Sequence, residues 1–182
     1  SGRLGNVAAI GAIAVGSMLF DLLYWNFGFL RVGTGGLTAQ AYGRKDMAGA
    51  IRHFVQGEST ALLSATFLIA IQWLFVEAAF MFIDCSGEVQ ELARKYFFIR
   101  IWGAPATLSL MVFKGWFIGM QNTVFPMRVD MTVNIVNLSA SIWLGLHTPL
   151  GFAGVALGTV IAQYTGLILA SVLMLIHYRK LF

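Results

Sequence analysis

The sequence predicts an all-α bundle of membrane-spanning helices, and three observations carry that prediction. Of 182 residues, 58% are hydrophobic and only 11% charged, against roughly 25% charged in a soluble domain. The apolar residues come in long blocks: the 48 residues between Asp130 and Arg179 hold no Asp, Glu, Lys or Arg. None of the blocks alternates apolar and polar residues over the roughly ten positions a barrel strand needs. A helix, by contrast, crosses about 30 Å of hydrocarbon in about 20 residues.

Five segments have that length. The first covers about residues 7–30 and is interrupted only by Asp21; the second covers about 59–83, interrupted only by Glu77. The third, about 96–116, contains Arg100 and Pro105. Proline removes a backbone donor and clashes with the preceding turn, so this helix is expected to kink. The fourth and fifth, about 127–146 and 152–178, divide the uncharged block at the turn-forming string 147–151. Pro126 suits the first turn of the fourth. The connection 31–57 is the longest. Within it, residues 37–42 can extend the first helix to Gly43, and Asp46 can cap a new helix through Ala50, Ile51 and Phe54.

The net charge of +4 does not make a nucleic-acid binder, because the basic residues sit between apolar blocks rather than on one face. Cys85 is the sole cysteine, which excludes an intramolecular disulfide and a cysteine-based zinc site. The glycine string RVGTGGLTAQAYG fits neither the dinucleotide nor the Walker spacing, and there is no HExxH pair or nucleophile elbow. An intramembrane enzyme would need convergent His, Asp, Ser or metal ligands, and the sequence offers none.

Eight Lys and Arg residues fall in the connections on one side and three on the other. The positive-inside rule then puts the C-terminus in the cytoplasm and the N-terminus outside. With Ser1 first and a leading apolar stretch too long for a signal-peptide core, the expectation is a fragment preceded by a further helix.

Asp21 is the sharpest candidate, because an ionisable group within a span usually faces the protein interior or a water-filled cavity, where it can carry a proton. The alternatives are a structural hydrogen bond or an interfacial position. Asn134, Asn137 and Ser141 are spaced i, i+3 and i+7 and share a helical face. Thr159 and Gln163 are one turn apart on the fifth span. Such amides and hydroxyls ligate a cation, bind a substrate, or bond helices together. Glu77, near the outer end of its helix, is expected to snorkel. Gly115 with Gly119, and Gly154 with Gly158, form small-xxx-small pairs for close helix approach.

Several strings resemble, in order, the multidrug and toxic compound extrusion (MATE) family, particularly its DNA-damage-inducible-protein-F-like branch. They are GFLRVGTGGLTAQAYGRKD at 28–46, YFFIRIWGAPATL at 96–108, GMQNTVFPM at 119–127, GFAGVALGTVIAQY at 151–164 and the opening GRLGNVAAIGAIAVG. The resemblance covers essentially the whole chain. It implies that the five spans are helices 2 to 6 of a twelve-helix, two-lobe cation-coupled antiporter. The chain would then be an incomplete N-terminal lobe in a bacterial inner membrane, whose partners are lipid, small organic substrates and the rest of the polypeptide. The coupling ion would be a proton or sodium, with no other cofactor. It further implies a cation site built from an acidic residue on helix 1 and an Asn, Asn, Asp pattern on helix 5. Asn134 and Asn137 match its first two places, Ser141 stands at the third, and Thr159 loosely matches a polar position on helix 6. Two rivals remain: a lipid-linked saccharide flippase or polysaccharide exporter, whose cavity would need several basic residues, and a non-transporting membrane scaffold.

Overall fold

The computed structural model describes residues 2–82, 87–147 and 153–178, and every regular element among them is helical. In order these are α1 (Gly2–Trp25), α2 (Phe29–Gly43), α3 (Met47–Ala70), α4 (Gln72–Phe82), α5 (Gly87–Arg100), a 3-10 turn (Ile101–Gly103), α6 (Ala104–Gly119), α7 (Val124–His147) and α8 (Ala153–Tyr178).

The helix ends follow local chemistry. After Gly43, Lys45 takes the left-handed conformation with φ 60°. The N–H groups of Arg44, Lys45 and Asp46 fold back onto the carbonyls of Gln40, Tyr42 and Ala41, which satisfies the last turn of α2. One residue later the Asp46 carboxylate accepts the Gly49 N–H at 2.9 Å and starts α3. The stop and the cap are so close that the expected long connection 31–57 is helix on both sides of residues 44–46. The same device joins α6 to α7: Gln121 has φ 64°, and Asn122 Oδ1 accepts the N–H groups of Val124 and Phe125. That cap starts α7 two residues ahead of Pro126.

Three of the expected spans are broken. Between α1 and α2 the N–H groups of Phe27, Gly28 and Leu30 each reach back three residues, tightening the turn. At Ile71, α3 and α4 meet at 64°. In the third span the break precedes the proline: Pro105 lacks the N–H that would bond to the Ile101 carbonyl, so the chain tightens at Ile101–Gly103 and α6 restarts with Pro105 in its first turn.

The breaks divide the bundle into two tiers. α1 packs on α5, whereas α2 and α3 pack on α6; α8 runs past both tiers, touching α5, the 3-10 turn and α6, and α7 packs chiefly on α8. One apolar core gathers Leu19, Phe20, Phe97 and Ile101; the other gathers Phe113, Trp116, Phe117 and Val129. Trp116 Nε1 donates to the Ala50 carbonyl at 2.8 Å, which ties α6 to α3.

Leu63, Trp73, Leu74, Met81, Ile168 and Ile176 are among the many large apolar side chains left exposed, the surface expected of a protein solvated by lipid. Gly11–Gly43, Val89–Gly119 and Gly154–Tyr178 are each long and apolar enough to cross a membrane, and the bent pair Met47–Ala70 with Gln72–Met81 makes a fourth. The fifth expected span, α7, has the length at 24 residues. It carries Arg128, Asp130, Asn134 and Asn137 along its length. The outer end of the second expected span at Ile83, Cys85, the turn 148–152, and Arg179 and Lys180 lie outside the described residues.

The tightest contact in the bundle is between α2 and α6. A Cβ on Gly119 would lie 2.7 Å from the Gly35 carbonyl oxygen, and one on Gly115 would collide with the Arg31 carbonyl. The paired glycines therefore let the two backbones touch. Gly119→Val should destabilise the purified protein in detergent by about 1–3 kcal/mol, the range for overpacking, read as a lower thermal unfolding midpoint. An unchanged midpoint would mean the helices separate at no cost.

Candidate functional site

α8 approaches α7 through Gly154 and Gly158. A Cβ on Gly158 would meet Ser141 Oγ at 2.6 Å, and one on Gly154 would meet the Leu144 backbone at 2.9 Å. This approach puts Thr159 beside Asn137. Ser141 Oγ lies 3.0 Å from Asn137 Oδ1 and 3.4 Å from the Val155 carbonyl, and Thr159 Oγ1 lies 3.2 and 3.1 Å from the same two oxygens. Each hydroxyl has one proton, so at any moment two donors serve four contacts. Four oxygens of the kind that bind hard cations converge here.

Thr159 also lines a small enclosed cavity of about 50 Å³ shared with Tyr24, Arg100, Gly103, Thr107, Val160 and Gln163. That is room for one or two waters among polar partners. Its residues come from α1, α5, the 3-10 turn, α6 and α8, so the cavity sits where two of the breaks meet. The Tyr164 hydroxyl donates to the Trp102 carbonyl at 2.7 Å and pins the 3-10 turn to α8. Tyr24 of α1 and Thr107 of α6 both line the cavity.

Arg100, half-buried, supplies the positive charge at this level. Its Nη1 lies 3.1 Å from the Tyr96 hydroxyl and 3.4 Å from Ser17 Oγ, and its guanidinium sits 4.7 Å from the centre of the Phe20 ring. Aromatic faces and hydroxyls thus replace water around the charge. Among the described residues it has no carboxylate partner.

The structure therefore brings three of the five candidates together and leaves two apart. Asn137, Ser141 and Thr159 form the cluster. Asn134 is exposed, because the stripe that α7 turns toward its neighbours runs through Val129, Val133, Asn137 and Ser141 in steps of four, and Asn134 falls one position off it. Gly166 of α8 seats against Val133 at that level. The three residues share one side of α7 as their spacing predicts, with Asn134 at its exposed edge.

Asp21 is exposed as well, so of the expected positions it does not take the packed interior of the described helices. The buried side of α1 is Ala12, Leu19, Phe20 and Leu23, and Asp21 is turned away from it. Gln163 reaches the cavity one turn beyond Thr159. Glu77 is exposed and paired with Arg94. Among the described residues, no group of three or more His, Cys, Asp or Glu side chains is placed to hold a metal ion.

Sequence reasoning did not place Tyr24, Tyr96 and Thr107 in the site. Arg100 had a legible signal, a basic residue inside an apolar span next to a proline break.

Comparison with known proteins agrees with this fold. Residues 1–143 match the MatE family model. The chain is 34% identical over 168 residues to DNA damage-inducible protein F of Escherichia coli K12, covering 92% of this chain and 37% of that protein. It is 29% identical over 110 residues to Protein DETOXIFICATION 43 of Arabidopsis thaliana, covering 60% of this chain and 20% of that one. The crystal structure of a MATE protein in complex with MaD3S superimposes with a TM-score of 0.84 over 95% of this chain and 38% of that one, at 18% identity. The chain thus spans little more than a third of the bacterial relative's length.

Replacing Thr159 by Val keeps its shape and removes its hydroxyl, leaving Ser141 as the one hydroxyl donor for both acceptors. The expected cost is about 0.6 kcal/mol, typical of interhelical hydrogen bonds in membranes, measured by unfolding in mixed micelles. A loss of several times that value would show that the hydroxyl does more than join the helices.

Proposed function

Because the chain belongs to the MatE family, we propose that it forms most of the N-terminal lobe of a cation-coupled antiporter that exports amphipathic or cationic organic compounds by alternating access. The observation that carries this reading is the convergence of Asn137, Ser141, Thr159 and the Val155 carbonyl beside the Arg100 cavity. In this lobe α1 with α2 stands for helix 2, α3 with α4 for helix 3, α5 with α6 for helix 4, α7 for helix 5 and α8 for helix 6.

The cluster is built to respond to a cation. Its hydroxyls reorient without moving the backbone, and its oxygens lie between α7 and α8, the helix that runs past both tiers. An ion that binds one arrangement of those helices more tightly than the other shifts the balance between them, and substrate shifts it back. The excess of basic residues in the connections 31–57 and 114–128 supports a cytoplasmic face on that side. A pyrophosphate-binding flippase is less well supported, since the charge of Arg100 is already engaged by Tyr96, Ser17 and Phe20.

The geometry separates the candidates in function. In the whole transporter reconstituted in vesicles, Asn137→Ala should lower gradient-driven export of a cationic dye by a factor within the about 5–150-fold range of coupling energies. Asn134→Ala should stay within about twofold, below the lower end of that range. Equal losses in both variants would detach the function from this cluster.

A further inference from the structure

Proton coupling needs a group that gains and loses a proton within the lobe, and the α7–α8 cluster contains no carboxylate. Among the acidic side chains whose surroundings the structure describes, all but one are accounted for. Asp21 and Glu91 are exposed, Asp46 caps α3, Glu77 pairs with Arg94, and Asp130 pairs with Lys114. Glu58 is different. It lies in the contact between α3 and α6, where one carboxyl oxygen, Oε2, meets the buried Ser109 hydroxyl and the other, Oε1, is buried with no hydrogen-bond partner.

The elements packed against α3 bring this carboxyl no countercharge. α6 contributes Lys114, which is taken by Asp130; α4 contributes Glu77, taken by Arg94; and the 3-10 turn contributes no titratable group. α2 contributes Arg31 and Tyr42, both exposed, and α3 itself carries Arg52, exposed, and His53. A carboxyl held between two apolar helices without a cation is costly and is usually functional. Gly57, the neighbour of Glu58 in sequence, lines a groove of about 190 Å³ between α2 and α3, whose walls are the apolar Phe29, Leu30 and Leu37 together with Thr34, His53 and Thr60; His53 Nδ1 is buried without a partner.

Resting on the antiporter reading above, we propose that Glu58 is a proton-exchange site of this lobe, distinct from the Asn137, Ser141 and Thr159 cluster. In one arrangement of α3 against α6 its carboxylate takes a proton from one side of the membrane on Oε1, and the site becomes neutral. In the other arrangement it returns that proton to the opposite side and regains its negative charge. Ser109 donates to Oε2 in both the charged and the neutral form, and is a positioning residue.

The test uses the whole transporter in proteoliposomes, with ethidium as the probe and either a pH or a sodium gradient as the driving force. Glu58→Gln should lower pH-driven ethidium movement about tenfold or more, within the range of coupling energies, while ethidium affinity at fixed pH stays within about twofold. Ser109→Ala keeps the acid and should shift the pH of half-maximal movement. Wild-type movement in Glu58→Gln, or movement driven by sodium alone, overturns the proposal and leaves the antiporter reading standing. If Glu58→Gln fails to fold, an unshifted pH midpoint in Ser109→Ala overturns it instead. Wild-type protein that moves no ethidium under either gradient removes both readings.

Discussion

Direct contact between helix backbones is the constraint on which the rest of this structure depends. In lipid, two helices gain little by hiding apolar side chains from each other, since the tails around them are as apolar as leucine. What is left is dispersion between closely fitted surfaces and hydrogen bonds that cross between helices. Gly115 and Gly119 let α6 lie on the backbone of α2, and Gly154 and Gly158 let α8 lie on α7. The polar chemistry follows from these fits, because Thr159 reaches Asn137 only at the spacing that Gly158 permits.

The three breaks give the bundle its second property. A helix that stops and restarts frees backbone groups, and in hydrocarbon each must find a partner. Here the partners are side chains or tightened turns: Trp102 lends its carbonyl to Tyr164, and Phe27 and Gly28 bond three residues back. The polar side chains of α1, α5 and α8 therefore gather at the level of two of the breaks. Arg100 is tolerated there because Phe20, Tyr96 and Ser17 surround it.

Much of this was legible in the sequence. The all-helical class, the glycine pairs, the end of α2 at Gly43 and the cap at Asp46 all rest on rules that look no further than a turn or two of chain. What was not legible depends on which side of a helix its neighbours cover. Asn134 and Asn137 are equivalent by spacing, and only the path of α8 across α7 separates them. Asp21 has the composition of a buried intramembrane acid but lies on the uncovered side of α1. Glu58 was missed for a different reason: it falls between the connection 31–57 and the apolar stretch 59–83 taken as the second span, whereas α3 begins at Met47 and carries it into a helix contact.

The two hydroxyls between Asn137 and the Val155 carbonyl can trade acceptors by rotation about a single bond each. A pair of such rotors has at least two nearly equivalent arrangements, with the O–H dipoles pointing in different directions. In a medium that otherwise responds weakly to charge, they make this spot locally polarisable. A charge arriving at or leaving the lobe can thus be screened on the timescale of hydroxyl rotation, before any helix has moved.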